Sequence, residues 1–208
     1  MKLNVFLIPA FYLGLLVFAA LPAHSQTVLT FDDLSETGSG SYLGQYHGLG
    51  WDNFAAVNAI LSTNSPFQVV TGTYYGMVSP SNVVINGNGY PAEIDSPGTN
   101  FDFLSAYLTG AQNSNLNIEI QGFNGTNLVY DETKVVSATA PTLFTFDYLD
   151  IDRLYFNSSG GEPTFSSVPA YNVVMDNFMF EFIPEPSSLL LAALGAMSLV
   201  AFLRRKRM

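Results

Sequence analysis

Leu116-Asn117-Ile118-Glu119-Ile120-Gln121-Gly122-Phe123 alternates apolar and polar side chains without a break until the glycine. Successive side chains of a strand point to opposite faces, so this segment buries Leu116, Ile118 and Ile120 and turns Asn117, Glu119 and Gln121 to water. Residues 122–127, rich in Gly and Asn, read as a turn, and Leu128-Val129-Tyr130 returns as the second arm of a hairpin. The same grammar extends in both directions. Short β-branched and aromatic runs at 28–32, 67–71, 83–85, 134–137, 142–146, 153–157 and 172–182 are separated by Gly, Asn, Ser and Pro clusters. Together they predict about eight to ten strands, the pattern of an all-β sandwich or barrel. Residues 55–61 read as a helical turn, and 158–169, rich in Ser, Gly and Pro, as a loop.

Composition narrows the partners. The body, residues 26–183, is long enough for one domain to bury a sizeable core. The chain has no cysteine, which excludes a disulfide framework, thiolate chemistry and Cys-ligated metal. Five of its seven basic residues are Lys2, Arg204, Arg205, Lys206 and Arg207, in the end segments. The body keeps Lys134 and Arg153 against sixteen carboxylates, a net of −14 with histidine neutral. Such a surface has no cationic stripe for nucleic acid and is repelled by anionic lipid. Neutral sugars, divalent cations and cationic surfaces remain as partners.

Both ends carry addresses. Lys2, an apolar run over 3–21 and Ala23-His24-Ser25 make residues 1–25 a secretory signal peptide, with signal peptidase cutting before Gln26. At the other end Pro184-Glu185-Pro186-Ser187-Ser188 precedes an apolar run over 189–203 and then Arg204-Arg205-Lys206-Arg207. Fifteen helical residues reach about 22 Å, short of the roughly 30 Å hydrocarbon core. That length suits a transient inner-membrane intermediate, its basic end held in the cytoplasm. The order of parts over 184–208 resembles the PEP-CTERM sorting segment of Gram-negative surface proteins. The resemblance implies an exosortase-type enzyme acting at or near Pro184, Glu185 and Pro186, then delivery to the cell surface or the extracellular space. It associates the chain with exopolysaccharide and biofilm.

Leu29-Thr30-Phe31-Asp32-Asp33 at the start of the body and Val174-Met175-Asp176-Asn177-Phe178 at its end resemble the terminal strands of jelly-roll, galactose-binding-like sandwich modules. That resemblance implies a jelly-roll β-sandwich in which Asp32 and Asp176 meet at a structural Ca2+, with Asp33 and backbone carbonyls adding oxygens. The stretches 101–108, 118–123, 144–146, 151–154 and 175–178 are similar to the bodies of many PEP-CTERM-bearing exported proteins.

For the body's activity three readings stand. A non-enzymatic surface or matrix component needs no site. A carbohydrate-binding module would use Trp51, Asp52 and Asn53, an aromatic face ringed by polar groups, with Tyr74-Tyr75 in another Gly-flanked stretch. A surface polysaccharide hydrolase would need two placed carboxylates, for which Glu93/Asp95 and Asp131/Glu132 are the near pairs. His47 is the single histidine of the body, and no Gly-x-Ser-x-Gly elbow is present, so triads and His-based zinc sites fit poorly.

Overall fold

A computed structural model describes residues 25–64, 70–167 and 170–183, with four single residues beyond them (195, 197, 202 and 205). The expected signal peptide up to residue 24, the expected sorting motif at 184–186 and the core of the strand expected at 67–71 lie outside the described residues. Thirteen strands occur among the described residues: β1 (Thr27–Leu29), β2 (Ser41–Tyr46), β3 (Leu49–Asn58), β4 (Asn82–Asn86), β5 (Ala92–Asp95), β6 (Phe101–Gly110), β7 (Asn113–Ser114), β8 (Leu116–Asn124), β9 (Asn127–Val136), β10 (Thr142–Ile151), β11 (Arg153–Ser159), β12 (Glu162–Pro163) and β13 (Val173–Phe182). A single helical turn, α1 (Gly72–Tyr75), starts from Thr71, whose hydroxyl accepts the Thr73 N–H. The body is all-β, and the β8–β9 hairpin forms where the alternation places it.

Eleven strands form one sheet with the path β10-β6-β13-β4-β3-β5-β11-β8-β9. β2 pairs with β3 and β1 with β13, off that path. β3 is the corner. It holds β2 along one edge, with a register break between Tyr42 and Gly44, while its other edge serves β5 at residues 50–52 and β4 at residues 54–58. The sheet thereby folds over on itself into a jelly-roll-like sandwich. Its two end strands, β9 and β10, come together through side chains: Tyr130 stacks on Tyr148 at 4.4 Å, and the Tyr130 hydroxyl accepts the Leu149 N–H. Lys134 reaches inward over the Phe146 ring. Inward charge on an end strand discourages pairing with another chain.

The helical turn expected at 55–61 is instead strand to Asn58, followed by a 3-10 turn at Leu61–Asn64. Phe54 and Ala56 are buried core residues while Val84 and Ile85 pair alongside, so tertiary pairing overrides the helical preference of alanine. β2 and β5 escape the sequence pattern because Gly44, Gln45 and Glu93 dilute it.

Between the layers lies an aromatic core. Phe103 stacks on Phe146 at 4.5 Å and on Phe178 at 4.8 Å, joining β6, β10 and β13. Phe103→Ala is expected to lower unfolding free energy by about 3–5 kcal/mol in urea titration. Leu143→Ala, on the solvent side of β10 and half exposed, should stay within about 0.5 kcal/mol of the parent.

Candidate functional site

Asp32 and Asp176 do come to one region of the body, and what they hold is a loop. Asp176 is fully buried on β13. Its Oδ2 accepts the N–H groups of Val78 (2.7 Å) and Ser79 (2.9 Å), and its Oδ1 accepts the Asn177 N–H (2.7 Å) and the Ser79 hydroxyl (3.1 Å). A carboxylate offers about four lone-pair positions, and these four donors fill them. Burial pushes the Asp176 carboxyl above its ordinary range, and the N–H groups of Ser79, Val78 and Asn177 pull it back. Asp32 is exposed, and its Oδ1 accepts the Asn82 N–H at 2.9 Å. The two aspartates therefore grip both ends of the 78–82 loop. Two amide oxygens on the same segments, Asn82 Oδ1 and Asn177 Oδ1, are buried with no donor. Asn82 is oriented by its Nδ2, which donates to Phe31 O and Leu34 O.

Trp51, Asp52 and Asn53 are consecutive, yet they go to three environments. Trp51 is 3% exposed, edge-on to Phe31, Phe54 and Phe178, with its indole N–H donated to Tyr46 O. Its ring belongs to the core and has no face open to a sugar. Asn53 sits at φ 56, in the left-handed region that asparagine tolerates, where β3 changes partner from β5 to β4. Its Nδ2 lies within hydrogen-bond distance of Gly87 O, Tyr90 O and Pro91 O, pinning the β4–β5 connection. Asp52 alone is solvent-facing.

Asp52 begins a row that sequence order hides. Pairing across β3, β5, β11, β8 and β9 aligns Asp52 with Glu93, Glu93 with Tyr155, Tyr155 with Gln121 and Gln121 with Asp131. Leu154 and Phe156, either side of Tyr155, are buried, so Tyr155 projects outward. Four inter-strand steps make the row about 19 Å long. Polar groups on this face are tied together. Gln121 Nε2 is 3.3 Å from Glu119 Oε1 and from Asp131 Oδ2, and Asn157 Nδ2 donates to Glu119 Oε2 at 3.1 Å. Arg153 lies over the Phe123 ring, 3.6 Å from Glu93.

Of the carboxylate pairs considered for hydrolysis, Glu93 and Asp95 share the outer face of β5, while Asp131 and Glu132 part to opposite faces of β9. Asp131 bonds Gln121 on the outer face, whereas Glu132 meets Lys134 on the inner one. Glu93 is drawn to Arg153. His47 stands 3.5 Å from Asp33 Oδ2, and the Tyr46 hydroxyl donates to Asp33 Oδ1. These bonds hold the Asp33 carboxyl below its ordinary range, Tyr46 contributing most. Among the described residues no group of three or more His, Cys, Asp or Glu is placed to hold a metal ion. Tyr74 and Tyr75 lie on α1, where Tyr75 stacks on Phe165.

Asp176→Asn turns an amide nitrogen toward N–H donors, and it should cost about 2–4 kcal/mol of stability in urea titration. Asn53→Ala, which loses its hydrogen bonds to the loop carbonyls and keeps an unfavourable φ, should cost about 2 kcal/mol, and Asn53→Gly less.

The sequence family described as the PEP-CTERM protein-sorting motif matches residues 182–207. No curated protein matches the chain. Among solved structures, TmCBM61 in complex with β-1,4-galactotriose is similar over 68% of this chain and 92% of its own, at 10% identity and a TM-score of 0.34. A structure described under "CBM4 structure and function" is similar over 76% of this chain and 86% of its own, at 12% identity and a TM-score of 0.29. At these scores the likeness assigns no ligand to this chain. The chain carries a PEP-CTERM sorting motif, and that motif begins on the last residue of β13.

Proposed function

We propose that the body is a non-enzymatic glycan-binding module, exported and sorted through its C-terminal motif to work among extracellular polysaccharide. The row Asp52–Glu93–Tyr155–Gln121–Asp131 carries this reading. An outward aromatic ring flanked by carboxylate and amide groups offers a sugar both an apolar face and hydrogen-bond partners. The row crosses strands, and a pyranose unit advances a glycan chain by roughly one strand spacing. Both basic residues of the body, Lys134 and Arg153, are engaged by carboxylates and aromatic rings, which disfavours polyanionic chains. In this reading signal peptidase removes the leader, residues 189–203 hold the inner-membrane intermediate, and an exosortase-type enzyme acts on the tail.

A glycan array on the purified mature protein tests it. Saturable binding to a neutral oligosaccharide is expected, with Tyr155→Ala weakening affinity roughly tenfold, the loss of about 1.4 kcal/mol of stacking. Its melting temperature should hardly change. Binding unaffected by Tyr155→Ala, or no binding to any glycan, would overturn the reading.

The orphan oxygen Asn82 Oδ1, on the residue whose backbone N–H binds Asp32, favours a second, structural element: a Ca2+ held there with Asp32. Millimolar Ca2+ is expected to raise the melting temperature over that in EDTA, and Asp32→Ala to abolish the difference. Superimposable curves would remove the ion.

A further inference from the structure

We infer that a neutral polysaccharide is also held by a second aromatic surface, on the 87–90 turn, so that the body takes a long chain rather than a short oligosaccharide. This rests on the glycan reading above and adds the contacts that select for length. Tyr42 and Tyr90 are 64% and 67% exposed, and Tyr171 is 39% exposed. They come from three segments, β2, the β4–β5 connection and the approach to β13, and one turn gathers them. Tyr42 lies so close over Gly87 that a Cβ there would stand 2.6 Å from its hydroxyl oxygen. Gly89, at φ 67, meets the Tyr171 backbone, 3.0 Å from where its Cβ would be. A side chain at either glycine would push the neighbouring tyrosine away. The turn itself is held. Asn86 Nδ2 donates to Tyr90 O at 2.8 Å, and Asn172 Nδ2 donates to Asn86 O at 2.6 Å. The Asn53 amide reaches Gly87, Tyr90 and Pro91 from the corner of β3. Exposed rings on a fixed frame lose little freedom when a ligand settles on them.

Charge names the ligand class. Segments 41–46, 86–92 and 170–173 contain no Asp, Glu, Lys or Arg, in a body that carries sixteen carboxylates. The opposite end of the sandwich, where β13 finishes, holds Asp95, Asp102, Asp150 and Asp152 on neighbouring strand ends. An uncharged surface of tyrosine rings, each with a hydroxyl at its tip, offers stacking and hydrogen bonds to a neutral sugar and no counter-charge to an ionic one. The surface is continuous with the row. Tyr90 stands three residues from Glu93, at most about 11 Å along the chain, and Asn53, which holds the turn, follows Asp52. A glycan lying along the row therefore reaches the turn at its Asp52–Glu93 end.

Titration calorimetry of the purified mature protein with tri- to octasaccharides of xylan, glucomannan and galactan supplies the test. Affinity is expected to rise at least roughly tenfold from tri- to octasaccharide. The double variant Tyr42→Ala, Tyr90→Ala should lose that rise and still bind the trisaccharide as the parent does, whereas Tyr155→Ala weakens every length. Both tyrosines are open to solvent, so the melting temperature of the double variant should match the parent's. A double variant that keeps the parent's length dependence overturns the inference and leaves the reading at Tyr155 standing. Tyr155→Ala without effect overturns that reading instead, and the inference falls with it; so does a protein that binds none of these glycans. Sedimentation of the parent as a dimer that Tyr90→Ala dissociates would assign the surface to a second copy of the chain and also overturn the inference.

Discussion

A buried carboxylate survives in a protein interior only when donors surround it, and Asp176 obeys that constraint by gathering four of them. Three are backbone N–H groups, two of them from the 78–82 loop, so β13 and the approach to β4 are fixed to one another at a single oxygen pair. Asp32 secures the far end of the same loop at Asn82. The first and last segments of the body are thereby tied to its middle, about 50 and 100 residues away in sequence. The pairing of β1 and β4 along one edge of β13 depends on this anchoring.

The second organising element is the corner at Asn53. Antiparallel strands of ten residues do not by themselves change partners midway. β3 does so because one residue adopts a left-handed conformation and spends its amide on the carbonyls of the connection that crosses with it. The crossing brings β5, β11, β8 and β9 round to cover the aromatic core. It also leaves their outer faces as one polar surface centred on Tyr155. Fold and candidate site thus share a cause: the strands that close the core are those whose solvent-facing residues line up in the row.

β13 belongs to the most deeply packed part of the sheet, and the sorting motif starts on its last residue.

Much of this was legible in residue order. Alternation at Leu116 to Gln121 specified a strand and its buried face, because a period of two has one structural solution. The charge segregation, the absence of cysteine and the motif at Pro184 to Pro186 are properties of the chain itself. Aspartates 32 and 176 were readable as partners in one region, but their ligands were not, since a backbone N–H carries no sequence signature. Trp51, Asp52 and Asn53 show the limit most clearly: three neighbours that read in sequence as one sugar site are, in the fold, a core ring, a surface carboxylate and a corner pin. In sequence Tyr155 is only one residue of a strand, because its neighbours in the row come from β3, β5, β8 and β9. Sequence determined which segments pair with water and which with the core. Only the tertiary structure decided which of them lie side by side, since register and crossing are set by long-range packing rather than by local pattern.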